Sequence, residues 1–190
     1  FDSRTIALLA VLSATMAALR PLGAGFAGIE PLWFILIIGG AIFGPVFGFV
    51  LGTLGIIASA FITSGVGPWL AYQALAAAWI GAIAGALGYR LRLLSAVVGA
   101  FLFGLLMDLQ FWPIVVGSQS QLSYSDQLSV GENVHRFLIY HFTTSMAWDI
   151  PRAILTAILV VTLGKPLSVA LIRAEKKIRP TGRVMEQREK

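Results

Sequence analysis

Six apolar stretches, divided by polar or glycine-proline punctuation, run along this chain between Arg4 and Leu163. The first, Arg4 to Arg20, ends at Pro21. The segment Gly23-Ala24-Gly25-Phe26-Ala27-Gly28-Ile29-Glu30-Pro31 follows, too rich in breakers to continue a helix. The second stretch, Leu32 to Phe43, stops at Gly44-Pro45, where Gly suits a helix C-terminus and Pro the first turn of the next helix. The third, Pro45 to Thr63, is followed by the loop Ser64-Gly65-Val66-Gly67-Pro68 and then by the fourth, Trp69 to Tyr89. A turn at Tyr89-Arg90-Leu91-Arg92 leads into the fifth, Leu93 to Val116. A polar segment, Gly117 to Asn133, precedes the sixth, Val134 to Leu163, which contains Pro151. After Gly164-Lys165-Pro166, the spacing from Leu167 to Ile178 predicts a short amphipathic helix at the lipid surface.

This pattern predicts an all-α membrane protein, a six-transmembrane-helix bundle. Residues 1–165 form its membrane domain, and residues 166–190 an amphipathic cytoplasmic helix with a basic tail. The second helix is short for a span, which takes about 20 residues. The glycine-rich loop before it is therefore expected to dip into the bilayer, which irregular backbone tolerates only when buried in protein or lining a cavity. That is the first hint of a pocket.

Composition agrees. Of 190 residues, 57% are hydrophobic and 12% charged, with a mean hydropathy of +0.84; a soluble domain carries about 25% charged residues. The chain has no Cys, so neither a disulfide framework nor a thiolate metal site is available. The net charge is +5, and the excess sits at the C-terminus, where Arg173, Lys176, Lys177, Arg179, Arg183, Arg188 and Lys190 cluster. Beside a membrane span such a cluster marks the cytoplasmic side rather than a nucleic-acid surface. Arg4, Arg90 and Arg92 fall on that side, and Glu30, Asp126 and Glu132 on the other, so both termini are expected in the cytoplasm. The first apolar run has the length of a signal-peptide core, but apolar sequence continues after it, so it reads as a retained span. Phe1 suggests a start within a longer chain.

Small residues recur at four-residue spacing: Ala10, Ala14 and Ala18; Gly40, Gly44, Gly48 and Gly52; Ala74, Ala78 and Ala82. Such ladders let helix backbones approach closely in lipid. Packing within the bundle is the plainer reading, and for the first helix an alanine strip docking onto another membrane subunit is the stronger alternative.

The whole resembles the substrate-binding S subunits of energy-coupling factor (ECF) transporters. The resemblance rests on the alanine strip, the long first loop, and the junction Phe43-Gly44-Pro45-Val46-Phe47-Gly48-Phe49-Val50-Leu51-Gly52, over residues 4 to about 165. It implies a bacterial cell-membrane carrier that captures a vitamin or related micronutrient outside. Such a carrier passes its cargo to a membrane coupling subunit and two ABC ATPases, separate or fused. The segments Gly28-Ile29-Glu30-Pro31, Gly65-Val66-Gly67-Pro68-Trp69 and Phe111-Trp112-Pro113 are similar to a branch associated with predicted cobalamin uptake. No Walker A motif is present, so ATP hydrolysis would come from a partner.

Polar and aromatic residues at the outer helix ends are the expected substrate contacts: Glu30, Trp33, Trp69, Gln73, Asp108, Trp112, Asn133, Arg136 and Tyr140. Trp33, Trp69 and Trp112 equally suit an interfacial aromatic belt. Asp108 could instead pair with Arg152, and Arg152 with Asp149 three residues before it. His135 reads as solvated. Arg20 either snorkels to the interface or meets Glu30. No cofactor, metal site or nucleic-acid partner is expected. A channel or sensor is the alternative class, though no span carries a polar stripe. An enzyme is the least favoured, because the Asp residues are not clustered for Mg²⁺ and no His-Glu-x-x-His motif occurs.

Overall fold

The computed structural model describes residues 2–23, 26–115 and 120–178, and the described residues contain helices and turns but no strand. Helix α1 (Ser3–Leu19) starts at Asp2, whose carboxylate accepts the Thr5 N–H at 2.8 Å, and ends in a 3₁₀ turn, Arg20–Gly23. Helix α2 is Leu32–Phe43, α3 is Pro45–Ile62 and α4 is Leu70–Leu87. A 3₁₀ turn, Tyr89–Leu91, leads into α5 (Arg92–Val115). Helices α6 (Val130–Thr144), α7 (Met146–Thr162) and α8 (Gly164–Ile178) complete the described residues. Phe1, the Val116 to Gln119 part of the long loop and the basic residues from Arg179 onward lie outside the described residues.

The six apolar stretches are all helical, but they are not six equal spans. Among the described residues four helices are long and apolar enough to cross a membrane, and α6 with α7 makes a fifth only as a pair bent by 59°. Helix α2 has 12 residues. It is nonetheless the centre of the bundle, with Leu36 and Ile38 fully enclosed and Ile37 nearly so.

The expected continuous helix from Val134 to Leu163 is therefore corrected. It begins earlier, at Val130, because Ser129 and Glu132 form a capping box. It breaks at Ser145. Just before the break, Thr143 and Thr144 both donate to the Tyr140 carbonyl, at 3.0 and 2.7 Å, the kind of back-bonding that bends helices. Pro151 stays inside α7. Starting α7 at Met146 puts the proline in its second turn, so the carbonyl it leaves without a donor is that of Ala147, close to the helix's free end.

The glycine ladder packs inside the bundle. A Cβ on Gly48 would collide with the Gly81 carbonyl, one on Gly52 with the Ala77 carbonyl, and one on Gly85 with the backbone of Gly44. Backbone contact of α3 with α4 is what those glycines permit. Gly44 acts through its backbone conformation instead, since at φ 94° it makes the corner between α2 and α3 that a side chain would strain. The alanine strip has the opposite environment. Helix α1 buries Leu8, Leu9, Leu12, Met16 and Ala17 and leaves Ala10, Ala14 and Ala18 exposed.

Alternation of the helices gives the molecule two ends. One carries the loops at residues 20–23 with 26–31, 63–69 and 120–129, here the loop end. The other carries Asp2, the corners at Gly44 and Gly88, and α8, here the tail end.

Candidate substrate-binding site

The first loop is fastened onto α7. At Gly28 (φ 69°) the chain lies directly on the Trp148 carbonyl, so any side chain there would run into α7 backbone. Two residues on, Glu30 Oε2 accepts the Trp33 indole N–H at 2.9 Å and the Arg152 Nε–H at 3.2 Å. Arg152 also donates through Nη1 to Asp149 Oδ1 at 2.6 Å and to the Ala100 carbonyl at 3.3 Å, with its guanidinium 4.9 Å from the Phe103 ring centre. Asp149 is fully enclosed and Arg152 only 5% exposed. Charges taken this far from water persist only when paired and hydrogen-bonded. Arg152 is thus the rivet that joins the first loop, α5 and α7.

Below the loop lies a cavity of about 220 Å³, between the end of α1, the end of α3 and the start of α7. Arg20 and Glu30 stand in its walls with Pro21, Gly23, Phe26, Thr63 and Trp148. Arg20 neither meets Glu30 in an ion pair nor reaches away from the bundle. It donates to Ser59 Oγ at 2.7 Å and to Gln73 Oε1 at 3.2 Å. Both acceptors are neutral, and among the described residues no carboxylate pairs with this guanidinium. Its orientation is fixed while its charge is left uncompensated, an arrangement suited to a carboxylate, phosphate or strong carbonyl acceptor on a ligand.

The residues singled out in the sequence fall into three groups. Glu30 lines the cavity, Trp33 bonds to it, and Gln73 stands behind Arg20. Trp69 lies over Gly67 and donates to the Gly65 carbonyl at 3.1 Å, closing the turn before α4. A second group anchors residues 120–129. The indole of Trp112 donates to the Leu122 carbonyl at 2.7 Å and packs edge-on against Tyr124 and Phe137. Asn133 bonds both ways with the Ser125 backbone, at 3.1 and 2.8 Å, and Arg136 donates to the Ser123 carbonyl at 3.0 Å. Asp108 belongs to a third group at the helix break, where its Oδ2 meets His141 Nδ1 at 2.8 Å and accepts from Ser145 Oγ at 2.6 Å. The alternative pairing of Asp108 with Arg152 is not formed; His141 and Ser145 are closer to Asp108 once the chain bends at residue 145. Tyr140 is half-buried one turn before that break.

Arg20 and its support by Ser59, and the pairing of His141 with Asp108, are what sequence reasoning missed. A charged residue at a helix end beside a breaker-rich loop was the visible signal for Arg20. Nothing in the spacing of His141 marked it, because its partner is 33 residues away on another helix.

Enclosed polar groups thus lie among apolar helices, beside a cavity at a fastened loop. Residues 4–164 match the family described as ECF transporter, substrate-specific component, and the chain belongs to that family. It is a multi-pass membrane protein and the substrate-binding component of a transporter. Neither a curated protein nor a solved structure matches it.

Proposed function

We propose that this chain captures a vitamin-like micronutrient at the loop end, outside a bacterial cell, for uptake driven by a membrane coupling subunit and two ABC ATPases. In this reading α6 and α7 together make one span, α2 makes a short one, six spans result, and both termini are cytoplasmic. The single observation that carries the site is Arg20: an oriented guanidinium, with no carboxylate partner among the described residues, in the wall of a cleft beside the first loop. Glu30, also in its lining, offers an acceptor, and Phe26 and Trp148 offer apolar contact. Of the remaining residues of the proposed site, Trp33, Trp69, Trp112, Asn133 and Arg136 act in this reading by shaping the loops around the ligand, Gln73 by orienting Arg20, and Asp108 and Tyr140 by setting the bend between α6 and α7.

Size bears on the substrate. A corrinoid is several times larger than a cavity of about 220 Å³. Cobalamin would be held there only if the site enlarged around it. A smaller molecule with an acidic or carbonyl group matches the size of the cleft and the charge of Arg20 better.

The test is to purify the chain without added ligand and identify by mass spectrometry what leaves it on denaturation. A stoichiometric small molecule, reduced at least tenfold in Arg20→Gln and in Trp148→Ala, supports the site. Unchanged occupancy in both variants rejects it. A chain that carries no ligand and supports no vitamin uptake alongside a coupling subunit and ATPases rejects the function.

A further inference from the structure

Helix α8 turns along the tail end of the bundle. Its inner face carries Leu171 into the core, with Leu167 and Ala174 packed beside it, and Ser168 Oγ donates to the Gly164 carbonyl at 2.6 Å. Its flank leaves Val169 and Ile172 each 39% exposed. With Ala41 and Ile42 of α2 these two form an apolar groove of about 400 Å³, completed by Tyr89, Lys165 and Ser168.

Cations border this groove. Arg92 lies 4.0 Å over the Tyr89 ring, donates to the Tyr89 carbonyl at 2.9 Å, and comes up beside Gly164, the residue before Lys165. Arg90 is exposed on the same turn as Tyr89, and Lys165 is exposed at the start of α8. Among the described residues none of these three is paired with a carboxylate.

The groove therefore joins an apolar wall to uncompensated positive charge, at the level where α2 and α4 end. A soluble anion would gain nothing from Val169, Ile172, Ala41 and Ile42. A neutral acyl chain would gain nothing from Arg90, Arg92 and Lys165. A molecule with both parts gains from both. We propose that this groove binds one anionic phospholipid, its acyl chain against α2 and α8 and its phosphate at Lys165 and the Tyr89 turn. Each Lys or Arg at a membrane surface strengthens attraction to anionic lipid by about fivefold.

The experiment is native mass spectrometry of the full chain in neutral detergent, with phosphatidylglycerol and phosphatidylcholine of identical acyl chains added in equal amounts. A single phosphatidylglycerol adduct should exceed the phosphatidylcholine adduct by about fivefold or more. Lys165→Gln should remove most of that preference, Lys165→Arg should keep it, and Ile172→Trp, which fills the groove, should lower both adducts. Val169→Phe is read the same way if Ile172→Trp does not fold. Equal adducts in the parent, or a preference untouched by Lys165→Gln and by groove filling, overturns the proposal. So does groove filling that spares the lipid adduct but blocks assembly with the coupling subunit, since the groove then belongs to a protein partner.

Discussion

The carboxylate of Asp149 occupies the place where a side chain on Gly104 would stand. Gly104 is on α5 and Asp149 on α7, and Ala100, one turn before Gly104, accepts from Arg152, while Asp108, one turn after it, accepts from Ser145. One face of α5, at four-residue spacing, thus takes the polar side of α7.

Gly104→Ala should be among the more damaging single-methyl changes in this protein. The methyl would push Asp149 from its seat and off Arg152. Overpacking of this kind costs about 1–3 kcal/mol. A lowered thermal midpoint in detergent checks it. Gly131→Ala, in open surroundings in the first turn of α6, should leave the midpoint unchanged or raise it slightly.

Arg152→Gln should be worse than Glu30→Gln. The first strands a carboxylate that is fully enclosed, and breaking a buried pair costs about 3–5 kcal/mol. The second removes a partner whose side chain is 24% exposed, so water compensates in part. Comparison of the two melting curves decides; equal midpoints would mean that Arg152 does not hold the bundle.

Trp112→Phe should loosen residues 120–129 without unfolding the helices. It deletes the indole bond to the Leu122 carbonyl and keeps most of the ring contact with Tyr124 and Phe137, a loss of about 0.5–1.5 kcal/mol. Faster amide exchange confined to that segment is the expected result. Protection unchanged there would show that the indole does not anchor it.

Single cysteines can fix the topology, since the chain has none of its own. Asp126 and Arg90 are both exposed, at the loop end and the tail end. In intact cells, Asp126→Cys should react with an impermeant thiol reagent and Arg90→Cys should not. The reverse pattern would turn the molecule over and put the cavity on the inside.

Ala14→Leu and Ala18→Leu should abolish transport while ligand binding by the isolated chain persists. Both alanines face away from the bundle, so a larger side chain there disturbs a partner rather than the core. Loss of binding in the isolated chain would remove the strip from the docking surface.

The sequence alone determined where α1 to α5 begin and end, because glycine, proline and capping side chains act within a few residues, whereas the start of α6 at Val130 and the break at Ser145 were not read from it. Leu32 to Phe43 reads from the sequence as it folds, and so does the corner at Gly44. It also determined that the chain belongs in lipid, because hydropathy is a sum over side chains. Tertiary structure decided what each polar side chain bonds to. Arg20 finds Ser59 and Gln73 across 39 and 53 residues, and Arg152 finds Glu30 across 122. An enclosed donor takes whichever acceptor the packing brings within about 3 Å, and which one arrives depends on how glycines such as Gly48, Gly81 and Gly104 let the helices close together. Spacing along the chain could mark Trp112, Asn133 and Arg136 as polar groups near one end. That they hold a loop, while Arg20 has no carboxylate partner among the described residues, follows only from the positions of other helices.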